Sequence, residues 1–141
     1  MFNKFTFLFL LLVLGNKFLK AQDNNLISSP DTKLSVKVTI KNGEAFYAVS
    51  YQRKTVLEDS ALGLLRNDED FSQKLSMLSV SNISTVSDSY TLQNSKRLLN
   101  QYNANKRVFH LKTVSGKRID VIFQVSNDGA ALRYYFPEKD A

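Results

Sequence analysis

Side chains able to support acid–base or metal chemistry are few and scattered along this sequence. There is one histidine, His110, and no cysteine, which excludes a disulfide, a thiolate metal site and a histidine cluster. The acidic run Asp68-Glu69-Asp70 lacks the glycine and distal glutamate of a calcium loop and is predicted to be a solvated turn. Glu58-Asp59 is interpreted in the same way. We therefore predict no catalytic residue and no metal ligand in this chain.

The single histidine lies in an alternating segment. His110 stands between Phe109 and Leu111, so alternation places it on the polar face of a strand beside Lys112. Since the sequence shows no partner for it, the prediction is a solvated histidine rather than a base. Glycoside hydrolysis needs two carboxyl groups about 5 to 10 Å apart, and no spacing in this sequence brings two acids together in that way.

The polar set Asn100-Gln101-Tyr102-Asn103 has more chemical character. Amide groups pair with the donors and acceptors of sugar hydroxyls, and an aromatic ring stacks on the C–H face of a sugar. Asn100, Tyr102 and Asn103 are therefore the candidate carbohydrate-contacting residues. The alternative is a turn in which the asparagine side chains cap their own backbone.

Composition and charge describe an ordinary globular chain. The 141 residues are 43% hydrophobic and 23% charged, with 19 basic and 13 acidic side chains. Three lysines lie in the first 21 residues, which contain no acid, so the remainder is only mildly basic. Its basic residues are not interleaved with aromatics, and nucleic acid is not expected as a partner.

The first 21 residues have the pattern of a cleavable export signal, predicted to form a signal helix. A positive charge at Lys4 precedes an apolar run from Phe5 to Leu14. Ten helical residues span about 15 Å, half of a bilayer core, which suits a signal peptide rather than a membrane anchor. Cleavage is predicted after Ala21. The expected location is periplasmic or extracellular, with no membrane association after cleavage.

The remaining residues predict paired strands. A polar leader, 22–32, precedes strict alternation from Lys33 to Lys41, after which Asn42-Gly43 favours a type I′ turn into a strand at Ala45–Tyr51. A second hairpin is predicted around Asn127-Asp128-Gly129, where an alternating strand from Ile119 turns back before Pro137.

The segments between these hairpins are shorter. Four of them predict additional strands, at Thr55–Leu57, Leu62–Leu65, Leu75–Ile83 and Tyr90–Leu92, and a fifth predicts one at Arg107–Val114. Ser95–Asn103 is the one stretch that fits a short helix, although it has no clear apolar face. Many short strands with frequent turn signals predict an all-β antiparallel sandwich over 33–141.

Several segments in order resemble the N-terminal domain of glycoside hydrolase family 97. They are Ser29-Pro30-Asp31 with Lys33–Val36, then Tyr51 to Glu58, Ser60–Leu64, the set at 100–103, and Phe123 to Pro137. The likeness covers residues 29–138. The pattern departs from the family at Leu99 and Ala104, where an arginine and a glutamate are usual.

The resemblance implies an exported α-glycosidase that acts on α-glucosides or α-galactosides. It also implies that this sandwich belongs to a larger supersandwich, followed by a catalytic (β/α)₈ barrel that holds the reacting carboxylates and a calcium ion. The chain ends before such a barrel, so no catalytic or calcium-binding residue can be assigned to it. The chain alone is predicted to be inactive, with no cofactor of its own.

The predicted function is that of an exported β-sandwich which supports or contacts carbohydrate beside a catalytic barrel. The alternatives are a stand-alone carbohydrate-binding module and an adhesive module without a sugar ligand. If part of the sandwich is missing, the last hairpin should leave an unpaired edge and an uncovered apolar side chain such as Ile122. We then expect poor solubility or dimerisation.

Overall fold

The computed structural model describes residues 23–93, 96 and 98–138, and every regular element in them is a β-strand. The predicted signal segment, 1–21, lies outside these residues. The all-β antiparallel fold is confirmed by two sheets packed face to face. The described residues form no helix, and therefore none that could cross a bilayer.

The first sheet has four strands in the order β1-β2-β3-β4, and all neighbours are antiparallel. The strands are β1 (Leu26–Ser28), β2 (Leu34–Lys41), β3 (Glu44–Tyr51) and β4 (Lys54–Leu62). A two-stranded ribbon follows, made of β5 (Leu65–Arg66) and β6 (Glu69–Asp70). Because β1 lies within 22–32, the first sheet includes part of the segment predicted to be a polar leader.

The second sheet is ordered β11-β10-β9-β7, and β8 also pairs with β9. Its strands are β7 (Ser76–Val80), β8 (Ser84–Thr91), β9 (Leu99–Lys112), β10 (Arg118–Ser126) and β11 (Ala130–Tyr135). The second predicted hairpin is β10–β11, with Val125 opposite Ala130. The long strand β9 serves three neighbours, since its C-terminal half pairs with β7 and β10 and its N-terminal part with β8.

The turn between β2 and β3 forms as the sequence predicts. Asn42 and Gly43 have φ angles of 53° and 82°, the positive values that a type I′ turn requires at both central positions. Gln52 and Arg53 adopt the same hand between β3 and β4, at 49° and 68°. Glutamine and arginine are not residue types that predict such a turn. The sequence therefore predicts only a short strand at Thr55–Leu57, where the structure has the nine-residue β4.

The helix considered for Ser95–Asn103 is wrong over its described part. Residues 99–103 belong to β9 and pair with β8 from Ser87 to Thr91. A polar segment without an apolar face gains little from a helix. A neighbouring strand supplies its backbone hydrogen bonds instead.

The core lies between the two sheets and combines one face of each. Val36 and Val38 of β2 meet Phe109 of β9 and Phe123 of β10, and all four side chains are fully buried or nearly so. Ile122 is also buried, at 8% exposure, although it lies on the outer face of β10. Val108 and Arg133 stand opposite it on the flanking strands. Because Ile122 is buried, the expectation of an uncovered Ile122 is wrong.

Two polar side chains of β9 reach across to the first sheet. Asn105 Nδ2 donates to the Ser28 carbonyl at 2.8 Å, and Arg107 Nη1 donates to the Leu26 carbonyl at 2.6 Å. Arg107 Nε also donates to the Ser81 carbonyl at 3.0 Å. Since β1 is an end strand, these bonds satisfy carbonyl groups to which no further strand in the described residues donates.

Candidate functional site

Residues 87–91 and 99–103 form a two-stranded extension, called here the β8–β9 arm. Within the described residues they pair only with each other, from Ser87 opposite Asn103 to Thr91 opposite Leu99. None of their side chains belongs to the hydrophobic core. The second sheet continues at Ala104, which is fully buried and faces Ser126 of β10. The arm therefore presents both of its faces to the surroundings.

The register divides the candidate carbohydrate-contacting residues between the two faces of the arm. Asn100 is opposite Tyr90 and Tyr102 is opposite Asp88, so these four side chains share one face. Asn103 lies on the other face. Asn100 and Tyr102 are thus brought together by the structure, and Asn103 is separated from them.

The face that carries Asn103 is polar. Ser87 Oγ donates a 2.8 Å hydrogen bond to Asn103 Oδ1, which leaves the Asn103 amide group able to donate outward. A shallow depression of about 380 Å³ lies here and is lined by Ser87, Ser89, Gln101 and Asn103 of this face, together with Asp88, which lies between the two serines in β8. Amides and hydroxyls offer both donors and acceptors, which is the chemistry that recognises sugar hydroxyl groups. Gln101 belongs to the polar set that the sequence indicates, whereas the two serines are brought to it by the pairing of β8 with β9, which no local pattern predicts.

The opposite face carries two aromatic rings. Tyr90 is 47% exposed and Tyr102 is half-buried, and their positions are diagonal neighbours across the strand pair. Exposed tyrosine rings with adjacent polar groups are able to stack on the apolar side of a sugar ring. Each face of the arm therefore supplies one of the two components that carbohydrate contact requires.

The acidic run has a structural role in the described residues. Asp68 receives hydrogen bonds from Arg66 Nε at 2.5 Å and from Lys117 Nζ at 2.6 Å. Its pKa is lowered from the usual range, chiefly by the Arg66 hydrogen bond and then by that of Lys117. Glu69 accepts a bond from Ser115 Oγ at 2.6 Å. Together these contacts attach the β5–β6 ribbon to the loop between β9 and β10.

The following acid, Asp70, binds its own chain. The backbone N–H and hydroxyl of Ser72 donate to Asp70 Oδ1, and Gln73 Nε2 donates to Oδ2. The Ser72 bonds, ahead of the Gln73 bond, lower the pKa of Asp70. The oxygens of the acidic run are thus engaged in local contacts. The described residues contain no group of three acidic or histidine side chains that could hold a metal ion.

His110 has a partner, contrary to the expectation from sequence. Its Nδ1 atom lies 2.7 Å from Asp120 Oδ1, and the two residues are directly opposite on β9 and β10. Asp120 is 8% exposed, because it lies between His110 and Tyr135 in the register of the sheet. Ser79 is opposite His110 on its other side, and the described residues show no hydrogen bond between Ser79 and His110. The contact was missed because it depends on the register of the β9–β10 hairpin.

A second concave surface lies between the end strands of the two sheets. It has a volume of about 400 Å³ and separates β4 from the β10–β11 hairpin. Tyr47 and Phe123 form its floor, where their ring centroids are 5.6 Å apart. Its rim includes Val56, Leu57 and Leu132, which are 61%, 38% and 38% exposed. This groove is apolar, unlike the depression on the arm.

Comparisons with solved structures find the same fold in a part of two glycoside hydrolases. The chain is similar to a β-arabinopyranosidase, with a TM-score of 0.76, 34% identity and coverage of 84% of this chain and 19% of that one. It also matches a glycoside hydrolase family 97 enzyme from Pseudoalteromonas sp. strain K8 solved with panose. That TM-score is 0.73 at 20% identity, over 82% of this chain and 18% of the enzyme. The low identity of the second match supports the fold alone.

The chain is also similar in sequence to a known protein. A probable retaining α-galactosidase from Streptomyces bingchenggensis (strain BCW-1) is 31% identical over 111 residues, which are 79% of this chain and 17% of the relative. The chain thus spans less than a fifth of the length of the proteins it matches. The family model described as glycosyl-hydrolase 97 N-terminal matches residues 27–141. Since that match covers most of the chain, the protein belongs to the glycosyl-hydrolase 97 N-terminal family.

Proposed function

We propose that this chain is an exported, non-catalytic β-sandwich of an α-glycosidase-like protein and that its β8–β9 arm contacts carbohydrate. Membership of the glycosyl-hydrolase 97 N-terminal family supports the enzymatic context. In this proposal the arm holds an α-glucoside or α-galactoside beside a catalytic barrel that lies in another part of the protein. Asn100, Tyr102 and Asn103 are the contacting residues, with Gln101 added from the structure.

The observation that carries the proposal is the composition of the arm outside the core. Eight of the ten side chains of the arm are amides, hydroxyls or tyrosines, and the other two are Asp88 and Leu99. The depression of about 380 Å³ beside Asn103 has the size of a small-ligand site. Its lining is polar, which favours a hydroxyl-rich ligand over an apolar one.

Catalysis is assigned to another part of the protein, and the acidic run of this chain is bound within its own structure. Asp68, Glu69 and Asp70 bind Arg66, Lys117, Ser115, Ser72 and Gln73. For the calcium ion implied by the family resemblance, the described residues offer no cluster of three acidic or histidine side chains. We propose that any calcium of the full enzyme is held outside these residues.

Binding by the purified chain tests the carbohydrate contact directly. We expect saturable binding of panose, an α-linked oligosaccharide, in calorimetry or in a heteronuclear NMR titration. Asn103→Ala should weaken binding at the polar face of the arm, and Tyr102→Ala should weaken binding at its aromatic face, each by about tenfold, the equivalent of one charge-free hydrogen bond or stacking contact. Thr55→Ala, on an exposed position of β4 away from the arm, is the matched control. Absence of saturable binding, or binding that both arm variants leave unchanged, would contradict the proposal.

The same preparation distinguishes the alternatives. The chain alone should release no sugar from an α-glucoside or an α-galactoside, and detectable turnover would contradict the non-catalytic assignment. Binding of panose without any effect on a catalytic barrel supplied in trans would favour a stand-alone carbohydrate-binding module. An adhesive module would bind no sugar at all.

Export is part of the proposal and has a separate test. Cleavage after Ala21 would leave Gln22 as the first residue of the periplasmic or extracellular protein. Intact mass measurement of the exported chain would detect the loss of residues 1–21. An unprocessed chain that remains in the cytoplasm would contradict this expectation.

A further inference from the structure

The side of the second sheet that points away from the first sheet is called here the outer face. Phe109 and Phe123 point into the core, so the residues that alternate with them along β9 and β10 point outward. The register of β9, β10 and β11 aligns the outward residues in rows across the sheet, which are Lys106 with Gln124 and Ala131, Val108 with Ile122 and Arg133, His110 with Asp120 and Tyr135, and Lys112 with Arg118. Residues far apart in the chain thus share one continuous surface.

The outer face is basic. Its cationic side chains are Lys106, Lys112, Arg118 and Arg133. In the part of the chain that the structure describes, none of these side chains forms an ion pair, and Arg118 uses its backbone N–H to bind Glu138 at the margin of the face. The acid within the rows, Asp120, is bound to His110. Unpaired charges of one sign on a single face create a positive potential that attracts anions.

A small depression lies on this face between β10 and β11. Its volume is about 170 Å³, and its lining consists of Ile122, Gln124, Ala131, Leu132 and Arg133. Ala131 carries only a methyl group, so the surface sinks beside the longer side chains of Gln124 and Arg133. A guanidinium fork matches the two oxygens of a carboxylate, and an amide pairs with a hydroxyl group. The depression therefore suits a small group that carries both a carboxylate and hydroxyls.

Hydroxyl groups separate the cations on the side of β9 that lies away from β10. Ser84 is opposite Lys106, Ser79 is opposite His110, and Ser76 is opposite Lys112. Lys106 and Lys112 are six residues apart, which is about 20 Å along a strand. Duplex nucleic acid carries about one charge per 1.7 Å of its axis, so cations spaced this widely match it poorly. They suit a ligand whose charges are separated by hydroxyl-rich units.

Composition distinguishes the outer face from a surface that another domain would cover. Permanent interfaces are rich in apolar side chains and depleted in lysine. The groove between β4 and the β10–β11 hairpin has that apolar composition, with Val56 and Leu57 on its rim. Lysine, arginine and serine dominate the outer face instead. We therefore expect the outer face to remain in contact with water in a longer protein as well.

We propose that the outer face binds the carboxylate groups of an acidic glycan, a saccharide chain that contains uronic acid residues. Arg133 binds one carboxylate beside the depression, and Gln124 pairs with a hydroxyl of the same sugar. Lys106 and Lys112 attract further carboxylates along the chain. The proposal rests on the proposed carbohydrate contact and names the class of glycan. The alternation of β9 continues from Lys106 to Tyr102, so this surface is continuous with the aromatic face of the arm.

Two forms of one ligand test the proposal by calorimetry. Oligogalacturonate is an α-linked chain with a carboxylate on each sugar, and its methyl ester has the same length without the charges. We expect the acidic form to bind the purified chain at least about tenfold more tightly than the ester, because the ester loses the charge-assisted hydrogen bonds. Raising the salt from about 0.05 M to about 0.5 M should weaken binding of the acidic form and leave binding of panose unchanged.

Charge-removing variants locate the contact. Arg133→Gln should weaken binding of the acidic form about tenfold, and Lys106→Gln should weaken it about threefold, because a lysine contact at the surface is weaker than a guanidinium fork. Arg133→Lys should lie between Arg133→Gln and the unaltered chain. The matched control is Lys54→Gln, which removes the same charge from β4 of the first sheet and should change the affinity little. All variants should retain the melting temperature of the unaltered chain, because these side chains are outside the core.

Panose separates this proposal from the proposed function. If panose binds but the acidic form binds no more tightly than its ester, the outer-face proposal alone is wrong. If the acidic form binds and Arg133→Gln weakens it while panose and the ester do not bind, the outer-face proposal is supported and the contact with the arm is contradicted. The outer-face proposal is also overturned if Arg133→Gln has no more effect than Lys54→Gln. It is likewise overturned if duplex DNA of the same total charge binds as tightly as oligogalacturonate.

Discussion

The hydroxyl group of Tyr134 accepts a 2.9 Å hydrogen bond from the backbone N–H of Gly63. Tyr134 lies on β11 at the end of the second sheet, and Gly63 directly follows β4 at the end of the first. Both residues are half-buried. This single contact therefore joins the end strands of the two sheets beside the apolar groove.

Loss of the Tyr134 hydroxyl should destabilise the sandwich. Tyr134→Phe keeps the ring and leaves the Gly63 N–H without its partner, so the free energy of unfolding should fall by about 1 to 2 kcal/mol. Urea denaturation measures the change. Tyr135→Phe, in which the ring is 51% exposed, is the matched control and should have little effect. Equal effects from the two variants would show that the Gly63 contact contributes no stability.

Gly63 is also predicted to tolerate no side chain. Its φ angle is +136°, and an added Cβ would lie 2.5 Å from the Phe71 carbonyl oxygen and 2.6 Å from Ser72 Cα. Gly63→Ala should therefore cost about 3 kcal/mol or more, because both backbone strain and displacement of the Phe71 segment are involved.

Gly116 separates those two contributions. Its φ angle is +93°, and an added Cβ would meet no atom within 4 Å. Gly116→Ala should cost about 1 kcal/mol from backbone strain alone. If thermal unfolding gives equal losses for the two alanine variants, the close approach of Phe71 to Gly63 is not the cause.

The stability contributed by Asp68 should disappear in acid. Hydrogen bonds from Arg66 and Lys117 lower the pKa of Asp68 in the folded state, so the unfolded state binds the proton more readily. The contribution is present above the usual pKa of about 4 and is lost as the pH falls toward the lowered folded value. The melting temperature of Asp68→Asn should be below that of the unaltered chain at pH 7, and the gap between them should shrink progressively as the pH falls below about 4.

The control for Asp68 removes an equal charge elsewhere. Asp128 is exposed in the turn after β10 and has no ion-pair partner in the described residues. Asp128→Asn should shift the melting temperature less than Asp68→Asn at pH 7. If the difference in melting temperature between Asp68→Asn and the unaltered chain grows in acid, the pKa of Asp68 is not lowered in the folded state.

Arg107 is predicted to be a stabilising buried cation. It is 4% exposed, burial lowers its pKa, and its guanidinium binds the carbonyls of Ser81 and Leu26. Arg107→Met leaves both carbonyls unsatisfied and should cost about 2 to 4 kcal/mol. Amide hydrogen exchange should also accelerate in β1.

A conservative variant gives the comparison for Arg107. Arg107→Lys keeps the positive charge but presents a single ammonium group in place of the guanidinium fork, so its cost should be intermediate. If Arg107→Met is as stable as the unaltered chain, the hydrogen bonds of Arg107 do no more than offset its cost of burial.

Local pattern was sufficient for the two hairpins that the sequence predicts. In β2–β3, alternation over Leu34–Lys41 meets a turn whose residues tolerate positive φ, so register and facing follow from neighbouring residues alone. The β10–β11 hairpin is confirmed for the same reason. Gln52-Arg53 shows the limit, because a tight turn formed there without a residue type that favours it.

The arm shows a different limit. Asn100, Tyr102 and Asn103 were grouped by adjacency in sequence, but a strand sends adjacent side chains to opposite faces. Their actual neighbours, Ser87, Ser89 and Tyr90, come from a strand that had been recognised only in part. Contacts of this kind depend on which strands pair and in what register, which no local pattern specifies.

By itself, the sequence determined the all-β class, the two hairpins and the family, because periodicity, turn chemistry and motif order are properties of the chain alone. Tertiary structure alone decided that Arg107 binds the edge of β1 and that His110 meets Asp120. Each of these outcomes joins residues far apart in the chain or on separate strands. Their physical cause is the packing of one sheet on another, which selects partners by position in space rather than by order in the sequence.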